Sequence, residues 1–374
     1  MRRRRLAFAI GCLALAGCRD AVGPWTPLEE ARDTASGIRL TWSAGQDLYP
    51  AWVVGGDSVL YSGDGFPGLP AAAGLLLRVS RDGGPSELLV PALQATAVGT
   101  SRRFAQPALA AAGDRIAFFE LASVRSPAAV LNAEECIVPE PVLDSAVLRV
   151  RAPVADGTFE ARLPLLFPGP DPDQKAGLPG PWDVRMFPLQ REWADSGGLM
   201  ARASWSPDGS RLVFSDGSRL LEWSPGAGAP QAIEGTADGL SPAWSPDGEW
   251  IAFTRWSRAD STVSACDVAV GRTVVRQNRW TYALAPPRIV LVRPDGSGMA
   301  DAGPGRDPAW GPGGLLYFRD GDRIRVRSAS GAVSDVAGTA SGGWPAASPQ
   351  GTHLAFARPD LSGRWDVWVV RLGR

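Results

Sequence analysis

The chain has 374 residues, 38 basic and 39 acidic side chains, a formal charge of −1, and 44 glycines and 33 prolines spread along its length. Lys175 is the lone lysine and no basic block occurs, which argues against a nucleic-acid partner. With one histidine and no cluster among the four cysteines, a zinc centre of the usual ligand types is not expected, nor is a cofactor.

Residues 1–17 read as an export signal and are set aside from fold reasoning. Arg2 to Arg5 form a charged start, and Leu6 to Ala16 an apolar run of about a dozen residues. That is too short for the roughly 20 residues of a membrane-spanning helix. The run ends in Leu15-Ala16-Gly17-Cys18, which resembles the bacterial lipobox. The resemblance implies cleavage before Cys18 and lipidation of its thiol. Arg19 follows where an inner-membrane retention signal places aspartate, so the resemblance points to the outer membrane, facing the periplasm. Residues 18–36 hold Pro24, Pro27 and scattered charges without periodicity, as expected of a tether. The chain after residue 17 keeps 34 basic and 39 acidic side chains, a formal charge of −5.

From residue 37 onward one pattern recurs. Its best-formed copies are Ala203-Ser204-Trp205-Ser206-Pro207-Asp208-Gly209 and Pro242-Ala243-Trp244-Ser245-Pro246-Asp247-Gly248. Each reads as a strand ending in tryptophan, a tight turn and a second apolar strand. Pro presets φ, Asp suits the next turn position, and Gly accepts a positive φ. Aligned on this step, the other copies start at Pro50, Pro107, Pro308 and Pro345. A third strand and a glycine turn follow, as in Ile289 to Val292 with Asp295-Gly296, then a short fourth segment such as Gln231 to Ile233. Four antiparallel strands per unit, repeated six times, predict an all-β chain folded as a six-bladed β-propeller. A seventh blade within 123–200 is the alternative.

Trp-Ser-Pro-Asp-Gly with an apolar strand, then a strand and Asp295-Gly296-Ser297-Gly298, resembles the repeat of TolB-like six-bladed propellers, also described as WD40-like or PD40 repeats. The resemblance covers nearly all of 37–374. It implies the fold and leaves function open, since such blades serve binding modules, enzyme lids and scaffolds. The last unit ends after its third strand near Val370, and Ile38 to Trp42 is spaced to supply the missing fourth, closing the ring.

Unit lengths are unequal. Extra chain falls near 123–145 and 168–198 in the second unit and 257–287 in the fourth. Connections at these points leave a propeller on one face, so the additions are expected to gather there. They hold Cys136 and Cys266, which form either a bridge tying two loops or two separate thiols. They also hold or adjoin Trp182, Trp193, Trp256, Trp280 and Tyr282, candidate contact anchors for a partner. Trp52, Trp205, Trp244 and Trp310 sit at the repeat position instead and are expected to pack between blades.

Catalytic readings fare less well. His353 holds a generic repeat position, no Gly-x-Ser-x-Gly elbow occurs for a serine peptidase, and each turn aspartate stands alone where a calcium loop needs several ligands. The expectation is therefore a monomeric, lipid-anchored envelope propeller. It would bind a protein, peptide or glycan without catalysis on the insertion-bearing face. The rival is a hydrolase or lyase with carboxylates and arginines in the pore.

Overall fold

A computed structural model describes residues 37–43, 45–63, 74–89, 102–124, 129–130, 142–151, 161–164, 202–216, 219–270 and 273–373. Six antiparallel four-stranded sheets form a ring. Blade 1 comprises Asp47–Trp52, Ser58–Gly63, Leu75–Ser80 and Glu87–Leu88. Blade 2 comprises Arg102–Leu109, Ile116–Val124, Val142–Arg151 and Ala161–Pro164. Blade 3 is built from Ala203–Trp205, Leu212–Ser215, Leu220–Trp223 and Gln231–Ala232. Blade 4 is built from Gly239–Trp244, Ile251–Arg255, Arg288–Val292 and Ala300–Pro304. Blade 5 contains Arg306–Gly311, Leu315–Asp320, Arg323–Arg327 and Val333–Asp335. Blade 6 contains Gly343–Ala347, His353–Pro359 and Trp365–Arg371, and its fourth strand is Ile38–Arg39 from the other end of the chain.

The first strand of every blade touches the first strands of both neighbours, so these six line the axis. Blade 2 meets blade 3 directly in this way, which rules out a seventh blade between them.

The repeat motif explains why each hairpin forms. In blade 4, Ser245 O accepts from Gly248 N at 3.0 Å, with Gly248 at φ +74°. Ser245 Oγ donates to Asp247 and accepts from Trp250 N at 2.9 Å. Blade 3 repeats the arrangement with Ser206, Asp208 and Arg211. One serine thereby satisfies the turn's backbone and side chain together.

Tryptophan then joins neighbouring blades. The indoles of Trp52, Trp205 and Trp310 donate to Ala346, Ala108 and Ala243 carbonyls of the preceding blade, at 2.8, 3.1 and 3.2 Å. Arg115 and Arg211 of the preceding blades lie over the rings of Trp205 and Trp244 at 5.6 and 4.7 Å. The repeat tryptophans thus pack between blades.

A seventh, three-stranded sheet lies outside the ring. The long hairpin Arg258–Val270 and Thr273–Leu284 rises from blade 4, and its first strand also pairs with Ala129–Val130 from the second-to-third connection of blade 2. Ala129 stands opposite Ala269 and Val130 opposite Val268. Extra chain from two non-adjacent blades therefore meets over one face.

Candidate functional site at the axial mouth

The proline step has a consequence at the axis. The residue before it has positive φ in five blades: Tyr49, Gln106, Ser241, Asp307 and Trp344, between +47° and +57°. Register shifts by a bulge at each of these points. Residues other than glycine pay for this conformation, and bulges of this kind re-aim a side chain. Hydroxyls of the preceding blade help to hold the bulge: Gln106 N donates to Ser62 Oγ and Asp307 N to Thr254 Oγ1, both at 2.9 Å. Blade 3 lacks the proline and the bulge, and Arg202 stands in the corresponding place.

Five of these residues, Gln106 aside, are linked by interactions around the axis. Tyr49 and Trp344 pack edge to face with centroids 5.2 Å apart. Ser241 Oγ donates to Asp307 Oδ1 at 3.3 Å. Arg202 reaches across from blade 3 to donate to Pro308 O of blade 5 and Pro345 O of blade 6, each at 3.3 Å. The channel is crossed by this guanidinium rather than open.

The mouth around this plug is lined by arginine and indole. Arg306 Nε lies 3.8 Å from Asp307 Oδ2, and its guanidinium is 5.9 Å from the Trp256 ring. Arg319 lies 5.9 Å from the Trp365 ring and donates from Nε to Gly321 O at 3.0 Å. Trp365 packs on Trp344 at 5.0 Å, and its backbone N–H is held by Gln46 Oε1. Trp256 lies two residues before the hairpin 258–284, so the mouth opens on the face from which that hairpin leaves blade 4.

Burial shifts the arginines. Arg202, Arg306 and Arg319 are all lowered, chiefly by loss of water, while Asp307 pulls each back upward. Arg319 adds repulsion at Arg306. Asp307 is fully buried among them.

Of the candidate residues read from the sequence, Trp256 lies at this mouth, partly buried against the core. Cys266, Trp280 and Tyr282 occupy the long hairpin, in register with Gln277, Val263 and Ser261. Cys18, Cys136, Trp182 and Trp193 lie outside the described residues. Tyr49, Arg202, Arg306, Asp307, Arg319, Trp344 and Trp365 were not singled out from the sequence. The column immediately before the proline step was the available signal, because its chemistry varies while the motif around it does not.

The opposite face carries a shallow depression of about 490 Å³ lined by Arg211, Glu222, Glu249, Arg293 and Asp295, which belong to the repeat turns and their flanks. His353 flanks a repeat turn as well, with Thr352 Oγ1 2.9 Å from Nδ1. Among the described residues no group of three or more histidine, cysteine or acidic side chains is arranged to hold a metal.

No protein-family model matches the chain, and no curated protein matches it. Solved structures do resemble it. TolB from Acinetobacter baumannii is 14% identical, with a TM-score of 0.46, over 82% of this chain and 58% of that one. A gluconolactonase from Xanthomonas campestris is 13% identical, with a TM-score of 0.47, over 89% of each chain. An oligogalacturonate lyase in complex with manganese is 10% identical, with a TM-score of 0.45, over 88% of this chain and 78% of that one. The chain thus spans 58% of the length of the A. baumannii TolB. At these identities the likeness is one of fold alone.

Proposed function

We propose that this propeller is a non-catalytic binding module of the cell envelope, tethered by lipid at Cys18 to the outer membrane and facing the periplasm. It acts as a monomer and engages a protein, peptide or glycan on the face that carries the added chain. The observation that supports this most is the joining of Ala129–Val130 to Val268–Ala269, on the hairpin that leaves blade 4 just after Trp256 of the arginine- and tryptophan-lined mouth. Two distant insertions build one surface there, and indoles and arginines are favoured anchors of interfaces.

The rival reading, a pore-sited hydrolase or lyase, draws on the meeting of Arg202, Asp307 and Tyr49. Against it, Arg202 is spent on two backbone carbonyls, and Asp307 accepts from Ser241 in full burial. A general acid or base must reach its substrate proton.

Crosslinking in intact cells followed by pull-down from the envelope fraction tests the binding reading. Recovery of a specific partner supports it. Turnover of a glycan or peptide panel with no recovered partner overturns it. The anchor has a separate test: Cys18→Ser is expected to move the protein from the membrane to the soluble fraction, and an unchanged membrane fraction refutes lipidation.

A further inference from the structure

Arg306 and Arg319 stand directly opposite each other on the first two strands of blade 5. Like charges at such a position are destabilising in a sheet. Arg202 adds a third guanidinium from across the axis, and Asp307 is the carboxylate that all three feel. Arg306 lies nearest to it, at 3.8 Å. Arg202 and Arg319 donate to backbone carbonyls, and among the described residues neither meets a carboxylate within ion-pair distance. Elsewhere on the same blade arginines are neutralised: Arg325 pairs with Asp320 and Asp335 at 2.7 and 3.0 Å, and Arg323 with Asp335 at 2.7 Å. Buried charge is ordinarily paired. Among the described residues the mouth instead gathers three guanidinium groups around one carboxylate, and Arg202 and Arg319 make no ion pair with it.

The surroundings favour an incoming anion. Asp307 is fully buried, with Oδ1 accepting from Ser241 and its backbone N–H donating to Thr254, and its ion pair is with Arg306 rather than Arg319. Gly343 leaves room beside Arg319: a Cβ there would come within 3.3 Å of Nη1 and 3.7 Å of the Trp365 ring. Guanidinium presents a planar fork that matches carboxylate geometry. Tyr49 and Trp344 occupy the mouth and Arg202 crosses the axis, so a slender carboxylate side chain reaches the cations more readily than a pyranose ring.

We infer that Arg202, Arg306 and Arg319 form a receptor for a carboxylate carried on an acidic peptide segment of the partner, a specificity that rests on the binding reading above. Arg319 is the residue that contacts the ligand, Arg306 shares the charge, and Arg202 sets the floor.

The test uses the full chain and fluorescence anisotropy at low salt. The probes are a labelled peptide with glutamate at alternate positions, the same peptide with glutamine, and a uronic acid trimer as competitor. The glutamate peptide is expected to bind and the glutamine peptide to lose at least about tenfold in affinity. Arg319→Gln is expected to weaken the glutamate peptide by about tenfold or more, while Arg325→Gln on the same blade changes it less than about twofold. Arg319→Gln is also expected to leave Tm unchanged or raised, because it removes a like-charge pair; a role limited to packing would lower it.

Equal binding of the two peptides, or Arg319→Gln without effect on affinity, overturns the inference. So does displacement of the peptide by the uronic acid trimer at lower concentration, which would assign the site to an anionic glycan. Absence of binding by any probe overturns it too. Capture of an envelope partner that Arg319→Gln does not disturb would reject this carboxylate site while leaving the broader binding function intact.

Discussion

Arg39 Nη2 lies 2.6 Å from Asp366 Oδ2, joining the strand that begins the described chain to the strand that ends it. Around the pair, Leu40 N donates to Val367 O at 2.8 Å and Val367 N to Thr41 Oγ1 at 2.9 Å. Asp366 is 1% exposed, and burial pushes its carboxyl up to about 7 against the pull of Arg39. An unfolded aspartate titrates near 3.9, so between about pH 4 and 7 the folded chain holds the extra proton. Stability from this group is therefore full below pH 4 and declines as pH rises through 7, by a few kcal/mol. Thermal unfolding of Asp366→Asn is expected to show a flatter profile across that window than the parent, and an unchanged slope would refute the assignment. Arg39→Gln is expected to cost about 3–5 kcal/mol at pH 8, where Asp366 is charged, and clearly less at pH 5.

Two glycines separate strain from crowding. Gly248 closes its turn at φ +74°, and an added Cβ would meet Pro207 at an ordinary 3.7 Å. Gly248→Ala should therefore cost only the left-handed backbone term, about 1 kcal/mol. Gly63 carries no such strain, but its Cβ would fall 2.6 Å from Asp47 Oδ1 and 2.7 Å from Leu77 Cδ1. Gly63→Ala must displace a buried carboxylate and a core leucine, and about 2–3 kcal/mol is expected. Urea unfolding of both variants checks the order; a costlier change at Gly248 would contradict it.

Repeat tryptophans are not energetically equal. Trp52 donates to Ala346 O at 2.8 Å, whereas the Trp244 indole N–H is buried without a hydrogen-bond partner among the described residues. Replacing each by phenylalanine removes similar apolar surface, so the difference reports the hydrogen bond. Trp52→Phe is expected to be more destabilising than Trp244→Phe by about 1 kcal/mol. Matched denaturation midpoints for the two would argue that the 2.8 Å contact contributes nothing net.

The ring was legible in the sequence because its signals are local. Ser245, Pro246, Asp247 and Gly248 each satisfy a turn requirement within a few residues, and the same chemistry recurs at Ser206 to Gly209. Closure by Ile38–Arg39 was legible from spacing, since the last unit lacked one strand. The mouth was harder to read. Arg306 and Arg319 become neighbours only through hairpin register, and Arg202 reaches Pro308 and Pro345 only once the ring has closed. Trp256 was noticed for its place beside an insertion, but Trp365 looked like an ordinary strand residue. Its contact with Trp344 depends on the bulge that turns Trp344.

The cysteines bring the last prediction. Cys266 lies two residues before Val268, and Val268 pairs with Val130, six residues before Cys136. The added segments of blades 2 and 4 thus come into register close to Cys266, while Cys136 itself lies outside the described residues. Disulfides persist in an oxidising compartment such as the periplasm. A bridge here would close a loop of more than a hundred residues, for which chain entropy sets an upper value near 5 kcal/mol. Peptide mapping without reductant is expected to recover Cys136 and Cys266 in one linked fragment, and reduction or Cys266→Ser should lower Tm. Alkylation of both thiols in the native, unreduced protein would instead establish two separate cysteines and remove the bridge from the account of that face.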